Sequence, residues 1–220
     1  MKDTQFTPAL GLPGLTRGYD LAIRLLTREA VWRNMLLRQV APLSNETIID
    51  VGCGTGTFAM MLKRAAPAAR ITAIDPDQDV LDRARRKAEA ADIEIEWRQG
   101  FARDVADLGV SFDKAVSSLV FHQVPLVGKR AGVAAMFACV RPGGEVHIAD
   151  YALQDSALMR ALFRLTVQTL DGRADTQPNA DGVLERILSD YGAAVVAPRA
   201  IVPTATGAIS LFVATRQSSK

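Results

Sequence analysis

The sequence predicts an α/β protein: a mainly parallel sheet with helices on both faces and an antiparallel pair of strands at its end. Three observations carry that prediction. Short β-rich runs alternate with longer helical stretches between residues 47 and 150, the pattern of βαβ crossovers, in which a helix returns the chain to the start of the next parallel strand. The first run is apolar and turns directly into glycines at alternate positions, "IIDVGCGTGTF" from Ile48 to Phe58. Near the C-terminus two β-branched runs, "AAVVAPRAIVP" and "GAISLFVATRQ", meet around Pro203 to Gly207, a junction short enough only for antiparallel pairing.

Taken in order, "YDLAIRLLTREAVWRNMLLRQV" (19–40) predicts one long helix or two short ones, with Leu21, Leu25, Leu36 and Val40 among its apolar positions, forming a cap over the sheet's C-terminal edge. Strands are predicted at 47–51, 70–75, 93–99, 112–120 and 145–150, and helices at 56–66, 77–91 and 127–140. The helix from Asp77 is well marked: Asp77 can cap it, Asp79 and Asp82 fall in its first turns, and "RARRK" complements its dipole toward the other end. Those basic residues read as a solvated helix face. After strand five comes an insertion, 151–180, in which Leu158, Leu162 and Leu165 point one way and Met159, Phe163 and Val167 another. Such a helix needs burial on both sides, or one side must face a ligand. A further helix is expected near 180–191.

Composition bounds the function. With 220 residues, 49% of them hydrophobic, the chain can bury a substantial core. A formal charge of +2, from 26 basic and 24 acidic residues, gives no electrostatic track for nucleic acid. The only cysteines, Cys53 and Cys139, are not spaced as metal ligands or as a disulfide framework. We therefore expect no metal and a reducing cytoplasm. The first residues have no apolar signal core and "AGVAAMFACV" is too short to span a bilayer, so neither export nor a membrane span is expected.

Gly52, Gly54 and Gly56 follow a buried strand and open a helix, where missing Cβ atoms let backbone approach a ligand and helix N–H groups point outward. A tight turn can also need glycine for sterics alone. Asp75 ends the second strand 19 residues beyond Gly56, where a carboxylate can accept both hydroxyls of a ribose. Asp50 lies inside an otherwise apolar strand and is costly there unless paired. The spacing is G-x-G-x-G, not the G-x-G-x-x-G of dinucleotide binding, so the ligand is better read as carrying an amine or other cation near Asp50.

With "IIDVGCGTGTF", "ITAIDPD", "RQGFA", "FDKAVSSLVFHQVP" and "RPGGEVHIADY" in this order, residues 45 to 150 resemble the class I S-adenosylmethionine-dependent methyltransferases, in particular the small-molecule branch often called type 11. The resemblance implies a Rossmann-like three-layer sandwich whose seven-stranded sheet has the order 3-2-1-4-5-7-6 with strand 7 antiparallel. Together with the helical ends read above, we expect a helical cap over 1–42 and a methyltransferase domain over 43–220, with 151–180 as an acceptor-side insertion. The implied cofactor is S-adenosyl-L-methionine, with S-adenosyl-L-homocysteine as product. Asp50 and Gly52 to Gly56, including Cys53, surround its methionine part, Asp75 holds the ribose, and Gly100, Phe101 and Ala102 flank the adenine. Pro76, Ser118 and, as a lid residue, Tyr19 complete the cofactor set. Many relatives carry an aspartate where this sequence has Phe101; Phe101 can stack on or wall the ring while Asp104 or a main-chain carbonyl accepts the adenine amino group.

Methyl transfer from a sulfonium is an in-line displacement, so alignment and exclusion of water matter most. The candidates for catalysis are His122, just past strand four, and Asp150 and Tyr151 at the end of strand five; His147 reads as packing. No N-P-P-Y follows strand four, which disfavours DNA amino groups, and two cysteines are too few for metalloid methylation. Trp32, Met35, Phe121, Met159 and Phe163 suit an aromatic or lipophilic small molecule around the mouth, or a sealed helical cap. A phospholipid or quinone acceptor stays open, although no basic amphipathic membrane helix stands out. The partner expected is a small-molecule acceptor, with the protein a monomer or homodimer. Two other readings stay open: a protein that binds S-adenosylmethionine without catalysis or for other chemistry, and a nicotinamide-dependent oxidoreductase.

Overall fold

The computed structural model describes residues 26–191 and 197–217. Leu21, Leu25 and the lid candidate Tyr19 lie outside these. A single seven-stranded sheet has the order β3-β2-β1-β4-β5-β7-β6. Its strands are β1 (Thr47–Val51), β2 (Arg70–Asp75), β3 (Glu96–Gln99), β4 (Phe112–Ser118), β5 (Val140–Tyr151), β6 (Ala200–Thr204) and β7 (Gly207–Thr215). The first five pair in parallel, and β7 runs antiparallel to both β5 and β6. This is the order that the resemblance implies, with the antiparallel strand that the terminal β-branched runs predict.

Period-two alternation assigns each strand residue to a layer. Ile48, Ala149 and Leu211 join one core with Trp32 and Leu36 of α1 (Glu29–Val40) and Phe58 and Leu62 of α2 (Thr57–Ala65). Ile49, Val51, Ile148 and Phe212 join the other, under Val133 and Met136 of α4 (Leu126–Cys139) and Leu184 of α8 (Val183–Ser189). Between α2 and α4 lies α3 (Gln78–Glu89), capped as expected by Asp77, whose side chain accepts the Asp79 and Val80 amides.

Four boundaries differ from expectation. β3 is shorter, pairing only with Thr72 to Asp75 of β2. β4 stops at Ser118 because Leu119 takes φ 55°, a left-handed conformation costly for a leucine. β5 begins earlier, at Val140, and absorbs "RPGG" as a shift of register against β4 between Phe112 and Lys114; a Cβ on Gly144 would stand 2.7 Å from the Asp113 carbonyl oxygen. Pro203 lies within β6 and not in the turn, which an edge strand tolerates because one side of its backbone is unpaired.

The insertion forms three short helices, α5 (Ala157–Leu165), α6 (Val167–Asp171) and α7 (Arg173–Ala180), broken at Thr166 and at Gly172 with φ 82°. Phe163 and Val167 are buried, whereas Leu158 and Leu165 are exposed, so burial on both sides of this helix is not met. No helix among the described residues is long and apolar enough to cross a membrane.

Candidate active site

The C-terminal ends of β1, β2, β4 and β5 meet at one edge of the sheet. Leaving β1, the chain takes positive φ at Gly52 (71°), Gly54 (53°) and Gly56 (70°). The three glycines are required for different reasons. A Cβ on Gly52 would lie 2.3 Å from Val120 and one on Gly56 2.4 Å from the Trp97 ring, whereas one on Gly54 would meet nothing within 4 Å. Two of them therefore serve close packing, and Gly54 alone stands open to a ligand. Cys53 between them is buried, its thiol pushed upward chiefly by that burial.

Asp75 organises this loop. Its Oδ2 accepts the Gly54 N–H at 2.9 Å and its Oδ1 the Asp77 N–H at 3.0 Å. Burial pushes its carboxyl above the usual carboxylate value, against the two amides. Each oxygen retains a lone pair. Asp50, on the α1/α2 side, is fully buried, and neither of its oxygens has a hydrogen-bond partner among the described residues. Burial raises its pKa to about 7, opposed by the Arg33 charge and by the Ala59 amide, which lies outside ordinary hydrogen-bond geometry. A buried carboxylate without a partner is a standing cost that a cationic ligand removes.

Gly100, Phe101 and Ala102 follow β3 as expected, all partly exposed. The Arg103 guanidinium lies 4.4 Å from the centre of the Phe101 ring, covering one face. Asp104 turns back to accept the Phe101 N–H at 2.8 Å, capping the 3-10 turn Ala102–Leu108. One of its oxygens is thus engaged within its own turn. Pro76 accepts a hydrogen bond from Gln99 through its carbonyl, and Ser118 ends β4 half-buried.

The three catalytic candidates come together. His122 lies in the 3-10 turn Phe121–Gln123, 6% exposed, with Nδ1 2.7 Å from Asp150 Oδ1. Asp150 is fully buried; its Oδ2 accepts the Val120 and Phe121 amides at 3.0 and 2.6 Å, and its Oδ1 also accepts the Tyr151 amide. The imidazole stands edge-on to the Tyr151 ring at 5.1 Å. Tyr151 Oη hydrogen-bonds Thr206 Oγ1 at 2.6 Å, and burial pushes its phenol up to about 12.

Sequence reasoning missed the far side of this cluster. Asp171 Oδ2, at the end of α6, lies 3.4 Å from His122 Nε2. Burial alone would lower the His122 pKa, but the charges and hydrogen bonds of Asp150 and Asp171 outweigh it and raise the value to about 9. Lys129 is fully buried beneath the turn, donating to the carbonyls of Phe121, His122 and Asp175, and burial lowers its pKa to about 8. Asn179 donates to the Tyr151 carbonyl at 2.6 Å. α6 and α7 are thereby latched to the sheet edge. Lys129, a cation on the apolar helix α4 close behind the His122 turn, was a usable signal; Asp171 had none.

The apolar residues expected around the mouth are mostly interior. Trp32, Phe121 and Phe163 are at most 1% exposed and pack in the two cores, leaving Met35 and Met159 half-buried. His147 is packed as expected, between Gln39 and Glu145.

Comparison with known proteins agrees with this fold. Residues 48–144 match a family described as a methyltransferase domain. The chain is 32% identical over 152 residues to a demethylmenaquinone methyltransferase of Deinococcus radiodurans, covering 68% of this chain and 62% of that protein. A protein of the same name from Clavibacter sepedonicus is 29% identical over 158 residues, covering 71% and 62%. The chain thus spans 62% of the length of each of these two relatives. Among solved structures, magnesium protoporphyrin IX methyltransferase from Synechocystis PCC 6803 with bound SAH superposes with a TM-score of 0.69 at 18% identity, covering 93% of this chain and 90% of that one. That likeness concerns the fold. On the strength of the matched domain, the order of its motifs and the sheet that carries them, the chain belongs to the class I S-adenosylmethionine-dependent methyltransferases.

Proposed function

We propose that the protein transfers the methyl group of S-adenosylmethionine to a nucleophilic oxygen, nitrogen or carbon of a small aromatic or lipophilic molecule, and that a reduced quinone is the first acceptor to test. The observation that carries the cofactor half is Asp50, a fully buried carboxylate whose two oxygens have no hydrogen-bond partner among the described residues, beside a loop whose middle glycine stands open. The acceptor half is supported by the relatives named demethylmenaquinone methyltransferases.

In this reading Asp50 pairs with the amino group of the cofactor's methionine part, and Asp75 accepts the ribose hydroxyls on the lone pairs left by Gly54 and Asp77. Phe101, backed by Arg103, walls the adenine between Gly100 and Ala102. Gly52, Cys53, Gly56, Pro76 and Ser118 shape the surrounding wall. The bound cofactor supplies an electrophilic methyl on a sulfonium. The protein's part is to align the acceptor and exclude water.

Acceptors that lose a proton need a place for it. At neutral pH His122 is already protonated between Asp150 and Asp171, so it is a positioning residue there and not the base. Asp171 is the member of the three with exposed surface, 28% against 7% and 0%, and its carboxylate takes the acceptor's proton while His122 and Asp150 hold it in place. Tyr151, tied to Thr206, is a wall of the acceptor side.

Thermal-shift comparison of S-adenosylmethionine, S-adenosylhomocysteine and NADH tests the cofactor; the first two are expected to raise the midpoint by about 5–10 °C near 100 times their dissociation constants, and NADH not at all. Incubation with S-adenosylmethionine and a water-soluble reduced naphthoquinone, followed by mass spectrometry, tests the acceptor. Cofactor binding with no S-adenosylhomocysteine formed from any quinol, phenol or amine would favour the non-catalytic reading.

A further inference from the structure

The helical insertion carries an outward face that the proposed reaction does not use. Leu158 and Leu165 on α5 are 63% and 73% exposed, Leu170 on α6 is 66% and Leu153 just before α5 is 41%. Leu158, Leu162 and Leu165 follow the i, i+4, i+7 spacing of one helix side, while the buried Phe163 points away from them toward Tyr151 at 5.3 Å. Leucines scattered singly over a surface need no explanation, but Leu158, Leu162 and Leu165 share one side of a single helix.

Arg160 and Arg164 stand on the side of the same helix away from these leucines, next to Phe163. With Arg173 they line a small cleft of about 120 Å³ between α5, α6 and α7, with Phe163 among its walls. Asp181 is the one carboxylate lining it and already accepts a hydrogen bond from Gln177. Arg160 donates to the carbonyls of Gln154 and Asp155, and neither Arg164 nor Arg173 has an ion pair among the described residues. α5 itself contains no acidic residue. An apolar helix side backed by a basic one, whose arginines are long enough to reach toward a surface, is the arrangement of a helix lying in a bilayer interface.

We propose that this face docks the protein on a bilayer surface containing anionic phospholipid, the leucines entering the acyl boundary and the arginines around the cleft holding headgroup phosphates. The face lies on the acceptor side, since α5 follows the catalytic end of β5 and α7 is latched to Tyr151 and Lys129. Its purpose rests on the reading of a lipophilic acceptor: a molecule dissolved in the bilayer is reached by an enzyme seated on it.

Flotation of the full chain with phosphatidylglycerol-rich vesicles, and with phosphatidylcholine vesicles alone, tests the proposal. Binding is expected to the anionic vesicles, weakened by salt. The paired substitution Leu158→Gln/Leu165→Gln should lower it by about tenfold or more, and Arg164→Gln/Arg173→Gln should remove the preference for anionic lipid. Both variants should keep the thermal shift produced by S-adenosylhomocysteine, which shows that they fold. Absence of flotation, or flotation unaffected by the leucine substitutions, overturns the proposal. So does a leucine variant that converts a dimer to a monomer, which would assign the face to a second copy, or release by inorganic phosphate at constant ionic strength, which would assign the cleft to a free anion. Flotation requires no turnover. A protein that floats but methylates only water-soluble acceptors would retain the docking face and lose the lipophilic-acceptor reading; one that methylates a bilayer-dissolved acceptor without floating would do the reverse.

Discussion

The carboxylate of Asp75, at the end of β2, accepts the amide of Gly54, in the loop after β1, at 2.9 Å. One side chain therefore both shapes the glycine loop and presents the lone pairs assigned to the ribose. Asp75→Ala removes two charge-assisted bonds to backbone, so it lowers stability by about 1.5–3 kcal/mol as well as weakening cofactor binding. Asp75→Asn, which keeps an acceptor oxygen, should fold nearer to wild type and still bind S-adenosylhomocysteine at least about tenfold more weakly by calorimetry. Unchanged affinity in Asp75→Asn would place the ribose elsewhere.

The glycines separate packing from binding. Gly56→Ala drives a Cβ to 2.4 Å from the Trp97 ring, and Gly52→Ala to 2.3 Å from Val120, a side chain stiff at χ1. Both should lose much of the folded protein at 25 °C. Gly54→Ala meets only the strain of φ 53°, roughly 1–2 kcal/mol. It should fold and bind cofactor poorly, as circular dichroism and calorimetry on the three variants would reveal.

Asp50 couples cofactor binding to protons. Its folded pKa of about 7 lies above the ordinary 3.8, so the folded state holds a proton that the unfolded state has lost between those values. Asp50 therefore costs stability increasingly as pH rises toward 7, and the full cost stands above it. A cationic group on Asp50 should release a proton on binding near pH 6, read as a dependence of calorimetric enthalpy on buffer ionisation. Asp50→Asn should raise the midpoint of the free protein at pH 8 by about 2–4 °C for each kcal/mol relieved, while weakening S-adenosylhomocysteine. A variant that binds as tightly as wild type would remove Asp50 from the site.

For His122 the sign is opposite. Its pKa, raised to about 9 from 6.5, means that the protonated pair stabilises the fold fully below about 6.5 and that this contribution is lost as pH rises through about 9. Melting curves from pH 6 to 10 should fall across that window in wild type and stay flatter in His122→Asn. With an acceptor in hand, His122→Ala should lower turnover more than cofactor affinity. Equal losses in both would make the histidine purely structural.

Asp171→Asn should leave S-adenosylhomocysteine binding within about twofold of wild type and lower the His122 pKa, because one of the two carboxylates holding the imidazolium has been neutralised. An NMR titration of the two histidines reads this directly. No movement of the His122 resonance would remove Asp171 from the cluster.

What lies close together along the chain was legible before the fold was known. The alternation of runs gives the crossovers, the parity of Ile48 and Asp50 puts a carboxylate in the same layer as core, and the spacing from Gly56 to Asp75 sets a carboxylate beside the loop. Local propensity and periodicity act between near neighbours, so the sequence displays them directly. The same logic misplaced Phe121 and Trp32 at the mouth, since an aromatic residue is equally suited to a ligand wall or to the core, and packing chose the core.

Contacts between distant segments were not legible. Asp171 meets His122 only because α6 folds back over the sheet edge, and Lys129 is buried only because the Phe121–Gln123 turn and α7 offer it carbonyls. The three glycines look alike in sequence, yet Val120 and Trp97 assign two of them to packing and leave the third open. The two apolar sides of α5 were visible from spacing alone, but which one is covered depended on β7 and Tyr151. The sequence by itself thus determined the crossovers, the antiparallel end strands and the motifs that identify the family, because these follow from short-range pattern, and the sheet order followed from the resemblance those motifs carry. Tertiary structure alone decided the charge state of His122, the company of Asp150 and the outward leucines, because each depends on which remote surface arrives to exclude water.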